Sequence, residues 1–561
     1  MKLAEWFLVS LLWISPAAYR AQQSKPAATP PSDPAALLAD AQTLYRKGSF
    51  DQAIARFNDV LKTDPASGDA YAGILRSYLK QDKVAEADGV LGKALQATPG
   101  HPDLRVAEGE LLFRQGQILE AGKLFDEVIS APPVTAPNAR AYLGAARVAA
   151  ASALYARESV LIRRAHELDS SDPDIRKRWM RTLSSDARLQ SLEDYLSQPA
   201  NDDDDTRRRL REQADFLKAS QSARSARCRP VSNVTATKTT LISVSLGDGI
   251  PASGLDVEID GKSARLLLDT GASGILISSK LAAQVGLKPV SDIRIGGIGD
   301  KPDSPAHLAY ANTVQIGDMQ FSNCPVEIVD RVPTTSDGII GTDVFSQFLI
   351  DLDFPSSILQ LSELPRRPGE APSKPSLNLA GDDPATAQEA NSTAGAASKQ
   401  SSTDVSTTIA RGAQAEDRYV PPEMHSYVQA FRIDHMLLVP TKINEGAKRL
   451  FLLDTGAFDN TITPDVAREV TKVHRAPRRD VHGMSGEVKK VFVADSVTLD
   501  FGHLRQIVPD MIAFDMSRIS RHAGTEVSGT LGMVMLNLLH IRLDYRDALV
   551  DFQYVPKPAR R

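Results

Sequence analysis

Two textures of apolar and polar positions divide this chain. From Pro34 to about Pro173 the patterning is helical. From about Thr239 it changes to alternation, through Leu241, Val244 and Leu246 and then Leu255, Val257 and Ile259, with turns at Gly247-Asp248-Gly249 and Asp260-Gly261. That rhythm predicts short antiparallel strands. The strand texture returns from Tyr427 to Tyr554. Between the two strand regions, Pro365 to about Pro422 is rich in Pro, Ala, Ser, Thr and Gly and poor in large apolar residues. Such a segment has little core to bury and is expected to be a flexible linker.

The helical region repeats itself. Pro65, Pro99 and Pro133 are 34 residues apart, and so are Ala53, Ala87 and Ala121. The same spacing relates Phe57, Leu91 and Phe125, then Val60, Ala94 and Val128, then Leu44, Tyr78 and Leu112. Small Ala lets paired helices approach, the larger apolar residues fill the groove, and Pro marks the turn into the next unit. No unit buries its apolar face alone, so units stack. The period resembles that of tetratricopeptide repeats over roughly Pro34–Pro173, with a degenerate fourth unit from about Ala141. The resemblance implies a protein partner or substrate on the repeats. Residues 174–238 carry charge runs (Arg176 to Arg178, Asp202 to Asp205, Arg207 to Arg209) and are expected to hold a further helix or two with a wet face, then linker.

Length and composition narrow the classes. At 561 residues the chain is long enough for about three or four domains. The balance of 42% hydrophobic and 24% charged residues, with a formal net charge of −5, is that of a soluble globular protein and predicts no nucleic-acid partner. Lys2 and the apolar run from Trp6 to Ala18 have the layout of a signal peptide over residues 1–21, followed by a linker at 22–33. Export to a periplasm or the medium is the expectation, without a membrane span beyond that signal. The two cysteines, Cys228 and Cys324, form no zinc signature and leave one disulfide or two buried thiols open.

The two strand regions align with one another. Each has a strand, a polar turn and a second apolar strand running into the same tetrapeptide, Asp269-Thr270-Gly271-Ala272 and Asp454-Thr455-Gly456-Ala457. Each then has an apolar element ending in Gly, Ile339-Ile340-Gly341 and Thr530-Leu531-Gly532. The intervals from Asp to Gly are 72 and 78 residues (341 − 269 and 532 − 454), so one fold occurs twice.

These segments, 239–362 and 427–556, resemble the lobes of retropepsin-like and pepsin-like aspartic proteases. The fold class implied is multidomain, an all-α tetratricopeptide-type array followed by two all-β acid protease lobes joined by a linker at 363–426. The resemblance makes Asp269 and Asp454 the catalytic pair of an endopeptidase acting through activated water, with neither a cofactor nor a metal. It gives Thr270 and Thr455 a hydrogen-bonding role across the lobe interface. Gly271 and Gly456 allow the tight loops, and Gly341 and Gly532 belong to the elements that cross beneath them. Glycine-rich stretches at Gly296, Gly297 and Gly299 and at Gly483 and Gly486 look like flap tips over a peptide or protein substrate.

Two carboxyls a few ångströms apart share one proton. Ala272 and Ala457 stand where pepsins often carry a hydroxyl that lowers the carboxylate pKa. Activity at mildly acidic to neutral pH is therefore expected. Three alternatives stay open at this level: a lobe pair that binds peptides without cutting, a repeat scaffold with structural lobes, and lobes that pair between chains rather than within one.

Overall fold

The computed structural model describes residues 33–131, 137–222, 228–246, 249–332, 334–368, 370, 375–377, 417–476 and 479–556. The expected signal segment, Pro133, Asp248 and most of the linker between the lobes lie outside these residues.

Eleven helices come first among the described residues: α1 Pro34–Arg46, α2 Phe50–Thr63, α3 Gly68–Lys80, α4 Val84–Ala97, α5 Pro102–Arg114, α6 Ile118–Ser130, α7 Ala139–Ala151, α8 Tyr155–Leu168, α9 Pro173–Met180, α10 Ser185–Leu196 and α11 Asp204–Ser222. The repeat columns explain the pairing. Ala53, Ala87 and Ala121 have no exposed surface, and Phe57 and Phe125 are almost fully buried. A Cβ on Gly73 would collide with the Phe57 ring and one on Gly144 with the Phe125 ring, so glycine lets these helices close on their aromatic neighbours. Asp33, Ser67, Asn138 and Asp172 cap the N-termini of α1, α3, α7 and α9 with their side chains.

The charged stretch after Pro173 departs from its expected form. It holds three helices, and its charges are not all a wet face. Asp202 is buried, pairs with Lys177 and accepts the Tyr195 hydroxyl at 2.8 Å. The ion pairs and the Met180–Leu189–Leu192–Tyr195 cluster order the segment.

Each lobe is built on a long sheet. In the first, Pro251–Ile259 and Lys262–Asp269 form a hairpin, and Gly338–Gly341 lies parallel to the end of the second strand and antiparallel to Ile275–Ser278. In the second, Met436–Ile443 and Lys448–Leu453 form the hairpin, and Gly529–Leu531 takes the corresponding place against Thr461–Ile462. A six-stranded sheet ties the lobes together: Phe348–Asp353 of the first pairs antiparallel with Leu539–Asp544 of the second, Ile350 opposite Leu543 and Leu352 opposite Ile541. Cys228 and Cys324 are joined in a disulfide, which fixes the segment before the first lobe to its long Met319–Val329 strand.

The repeats pack onto the second lobe. One apolar core contains Phe125, Ala145 and Leu161 from the helices together with Phe431, Met436, Leu450 and Val527 from the lobe. The Thr525 hydroxyl donates to the Phe113 carbonyl at 2.6 Å, and the Glu526 amide donates to that of Arg114 at 2.9 Å. The Asp417 carboxylate, at the end of the interlobe connection, accepts from the amides of Ala156 and Arg157 at the start of α8. No helix among the described residues is long and apolar enough to cross a membrane.

Candidate active site

The strands Lys262–Asp269 and Lys448–Leu453 end at the same place from opposite lobes. Their last apolar residues, Leu268 and Leu453, have no exposed surface, so the following turns are pinned by core packing. The Asp269 and Asp454 carboxyls lie side by side, each against the glycine of the other loop. A Cβ on Gly271 would come 2.9 Å from the Asp454 carboxyl and 3.2 Å from that of Asp269, and a Cβ on Gly456 would collide with Asp269. Only glycine at both positions leaves room for the two acids.

The loops are fastened reciprocally. The Thr270 amide donates to the Thr455 hydroxyl at 2.9 Å, and the Thr455 amide donates to that of Thr270 at 2.9 Å. Each hydroxyl in turn donates to the opposite strand, Thr270 to the Leu453 carbonyl at 2.7 Å and Thr455 to that of Leu268 at 3.0 Å. Beneath each loop the second glycine packs against backbone: a Cβ on Gly341 would meet the Ala272 carbonyl at 2.5 Å, and one on Gly532 would collide with that of Asp459.

Electrostatics raises both acids. Burial raises the Asp454 carboxyl well above the ordinary range, and the charge of Asp269 raises it further, against the amides of Ala457 and Gly456. Burial also raises Asp269, opposed by hydrogen bonds from the Gly271, Gly456 and Ala272 backbone. The Gly271 amide donates to Asp269 at 2.7 Å, and the Gly456 and Ala457 amides to Asp454 at 3.0 Å.

Gly296, Gly297 and Gly299 lie in the turn between Ser291–Ile295 and Ser304–Ile316, and Gly483 and Gly486 close the small hairpin His482–Gly483 with Gly486–Glu487. The two tips bond to each other. The Gly297 amide donates to the Ser485 hydroxyl at 3.1 Å, the Ser485 amide to the Ile298 carbonyl at 2.9 Å, and the Lys301 amide to the Ser485 carbonyl at 2.9 Å. Gly299, at φ +128°, runs directly against Ser485. Asp303, on the far limb of the first tip, pairs with Arg208 of α11 at 2.9 Å and with Arg518 of the second lobe.

The acids and the flap tips line one cavity of about 1550 Å³ that continues along the repeats past Arg76, Glu110, Arg140 and Arg147. Several groups here escaped sequence reasoning because no motif marks them. Ser485 holds the flaps together. His435 lines the cavity and is kept neutral, burial pushing its imidazole down to about 4 despite Asp434. Asp343 accepts the Gly274 amide at 3.1 Å, and burial pushes its carboxyl up to about 7. Glu327 lines the same cavity.

Comparison with known proteins follows the duplicated geometry. Residues 255–344 and 439–534 each match the aspartyl protease family model, and 38–102 and 73–135 match that of the tetratricopeptide repeat. The chain is 26% identical over 111 residues to DNA damage-inducible protein 1 of Kluyveromyces lactis, covering 20% of this chain and 26% of that protein. It thus spans about a quarter of the length of that curated relative. Among solved structures, pilF of Pseudomonas aeruginosa is 16% identical at a TM-score of 0.24, covering 34% of this chain and 84% of the other. A tetratricopeptide repeat protein of Parabacteroides merdae is 16% identical at a TM-score of 0.25, covering 32% and 69%.

Proposed function

We propose that this chain, which carries two aspartyl protease domains in tandem behind tetratricopeptide repeats, is an aspartic endopeptidase with one dyad formed by Asp269 and Asp454. The observation that carries this reading is the juxtaposition of the two carboxyls, each against the other loop's glycine, on reciprocally fastened loops facing a large cavity.

In the resting dyad the two raised carboxyls share one proton, and the reaction runs with it on Asp454. Ionised Asp269 takes a proton from a water as the water oxygen bonds to the peptide carbonyl carbon. Asp454 gives its proton to the carbonyl oxygen, and a tetrahedral diol results. Collapse breaks the C–N bond. Asp269 returns its proton to the leaving nitrogen, and a diol hydroxyl restores the proton on Asp454. The flap tips cover the substrate and must part at the Ser485 bonds for entry. Continuity of the cavity with the repeats supports a role for the array in holding a substrate protein or partner beside the dyad.

Both carboxyls are raised, so both limbs of the pH profile move upward from those of ordinary carboxylates. The expected optimum is mildly acidic to neutral rather than strongly acidic. Cleavage of casein and of a peptide library across pH, by the wild type and by Asp269→Asn and Asp454→Asn, tests the reading. Each substitution is expected to lower turnover about 10²–10⁴-fold. An optimum near about pH 2 to 3 contradicts the electrostatics. Peptide binding without cleavage at any pH replaces the endopeptidase with a peptide-binding module. The N-terminal apolar run and the Cys228–Cys324 disulfide support export to an oxidising compartment. N-terminal sequencing of the mature protein tests this, and an intact Met1 contradicts it.

A further inference from the structure

The two lobes can be compared place by place. In the first, Leu267 pairs with Ile339, Ile339 with Leu276, and Leu276 with Glu327, a row that crosses four strands. In the second, Leu452 pairs with Thr530, Thr530 with Thr461, and Thr461 with Ile512. Leu267 and Leu452 each precede their dyad acid by two residues, so the rows correspond and Glu327 stands where the other lobe has Ile512. All eight side chains line the cavity. Seven carry no charge.

Glu327 is partly buried beside an apolar wall of Leu246, Leu267, Leu276, Ile295 and Ile339. It has no hydrogen-bond or ion-pair partner among the described residues. The charge that acts on it is Asp343, another acid, and burial pushes its carboxyl up to about 7. A carboxylate at a half-dry wall is costly unless a cation meets it, and the open side of this one is the substrate cavity. Thr461 and Thr530 in the second row satisfy each other at 2.8 Å, so that row asks for nothing from a ligand.

We propose that Glu327 is a specificity-determining residue that receives a Lys or Arg side chain of the substrate on the first-lobe side of the dyad, while the Ile512 side receives an apolar one. The stem of such a side chain lies along Leu276 and Ile339 and its charged head reaches the carboxylate. The endopeptidase reading thereby gains a direction, because a polypeptide binds with its basic residue toward one lobe. The proposal rests on the cavity being the substrate site.

The experiment uses peptides with a hydroxyethylene group in place of the scissile amide, carrying Lys or norleucine at each position in turn. They are titrated calorimetrically against the full chain at about pH 8, where a carboxyl of this kind is ionised. Lys is expected to bind about tenfold or more tightly than norleucine at one position on one side of the isostere. Glu327→Gln is expected to abolish that preference and leave the norleucine peptides unchanged, which also reports that the variant is folded. Equal binding of Lys and norleucine by the wild type, or a Lys preference that survives Glu327→Gln, overturns the proposal. A Glu327-dependent preference without cleavage of the matching amide peptide supports the pocket and removes only the turnover. Failure of every isostere peptide to bind overturns both.

Discussion

Asp454 is held at a cost to the fold. Folding raises its carboxyl pKa, so the unfolded chain ionises first as pH rises past about 4. The unfolded state then binds fewer protons than the native one, and stability falls as pH increases. Asp454→Asn is therefore expected to raise the melting temperature at pH 7 and to leave it unchanged near pH 3, while removing activity. Thermal denaturation at the two pH values checks this, and a variant less stable at pH 7 counts against the buried pair. Thr270 acts in the opposite sense. Replacing it with Ala leaves the Leu453 carbonyl and the Thr455 amide unpaired in a buried interface. A loss of about 2–4 kcal/mol is expected in denaturant unfolding, with Thr270→Ser largely restoring it. At this scale the sequence is legible where chemistry repeats: two Asp-Thr-Gly-Ala motifs announce themselves. Glu327, His435 and Ser485 do not, because sheet register and flap folding bring together single residues far apart in the chain.

The elements show the same division. The 34-residue period locates the paired helices because each repeat must bury the same columns against its neighbour. The glycines mark the flap turns because such turns require them. The number of helices after Pro173 was not legible, since buried acids such as Asp174 and Asp202 sit within runs that read as solvated charge. Nor was the closure of the flaps on one another, which rests on backbone amides and one hydroxyl. Gly299 tests that closure. Alanine there meets both a left-handed φ and the Ser485 backbone. Gly299→Ala is expected to lower kcat/KM by about 10–100-fold with the dyad intact. Unchanged kinetics with a peptide substrate indicates that the tips are not the cover of the site.

The whole molecule is a closed arrangement of three parts. A shared sheet joins the lobes, a shared apolar core joins the second lobe to the repeats, and Asp303 joins a flap to α11. The duplicated lobe was legible from two motifs and two glycine elements. The partner of each lobe was not, because the linker is long enough for either choice; the lobes meet through the Phe348–Asp353 and Leu539–Asp544 strands and the Thr270 and Thr455 bonds. The proposed dyad is then a property of a single chain, and mixing the two dyad variants tests that directly. Asp269→Asn and Asp454→Asn proteins are unfolded together, refolded together and assayed on a peptide that the wild type cleaves. Each variant alone and the mixture are expected to stay inactive, since no chain in the mixture holds both acids. Cleavage by either variant alone, or recovery on mixing of about a quarter of wild-type activity or more, as random pairing of lobes from different chains would give, contradicts an intramolecular dyad.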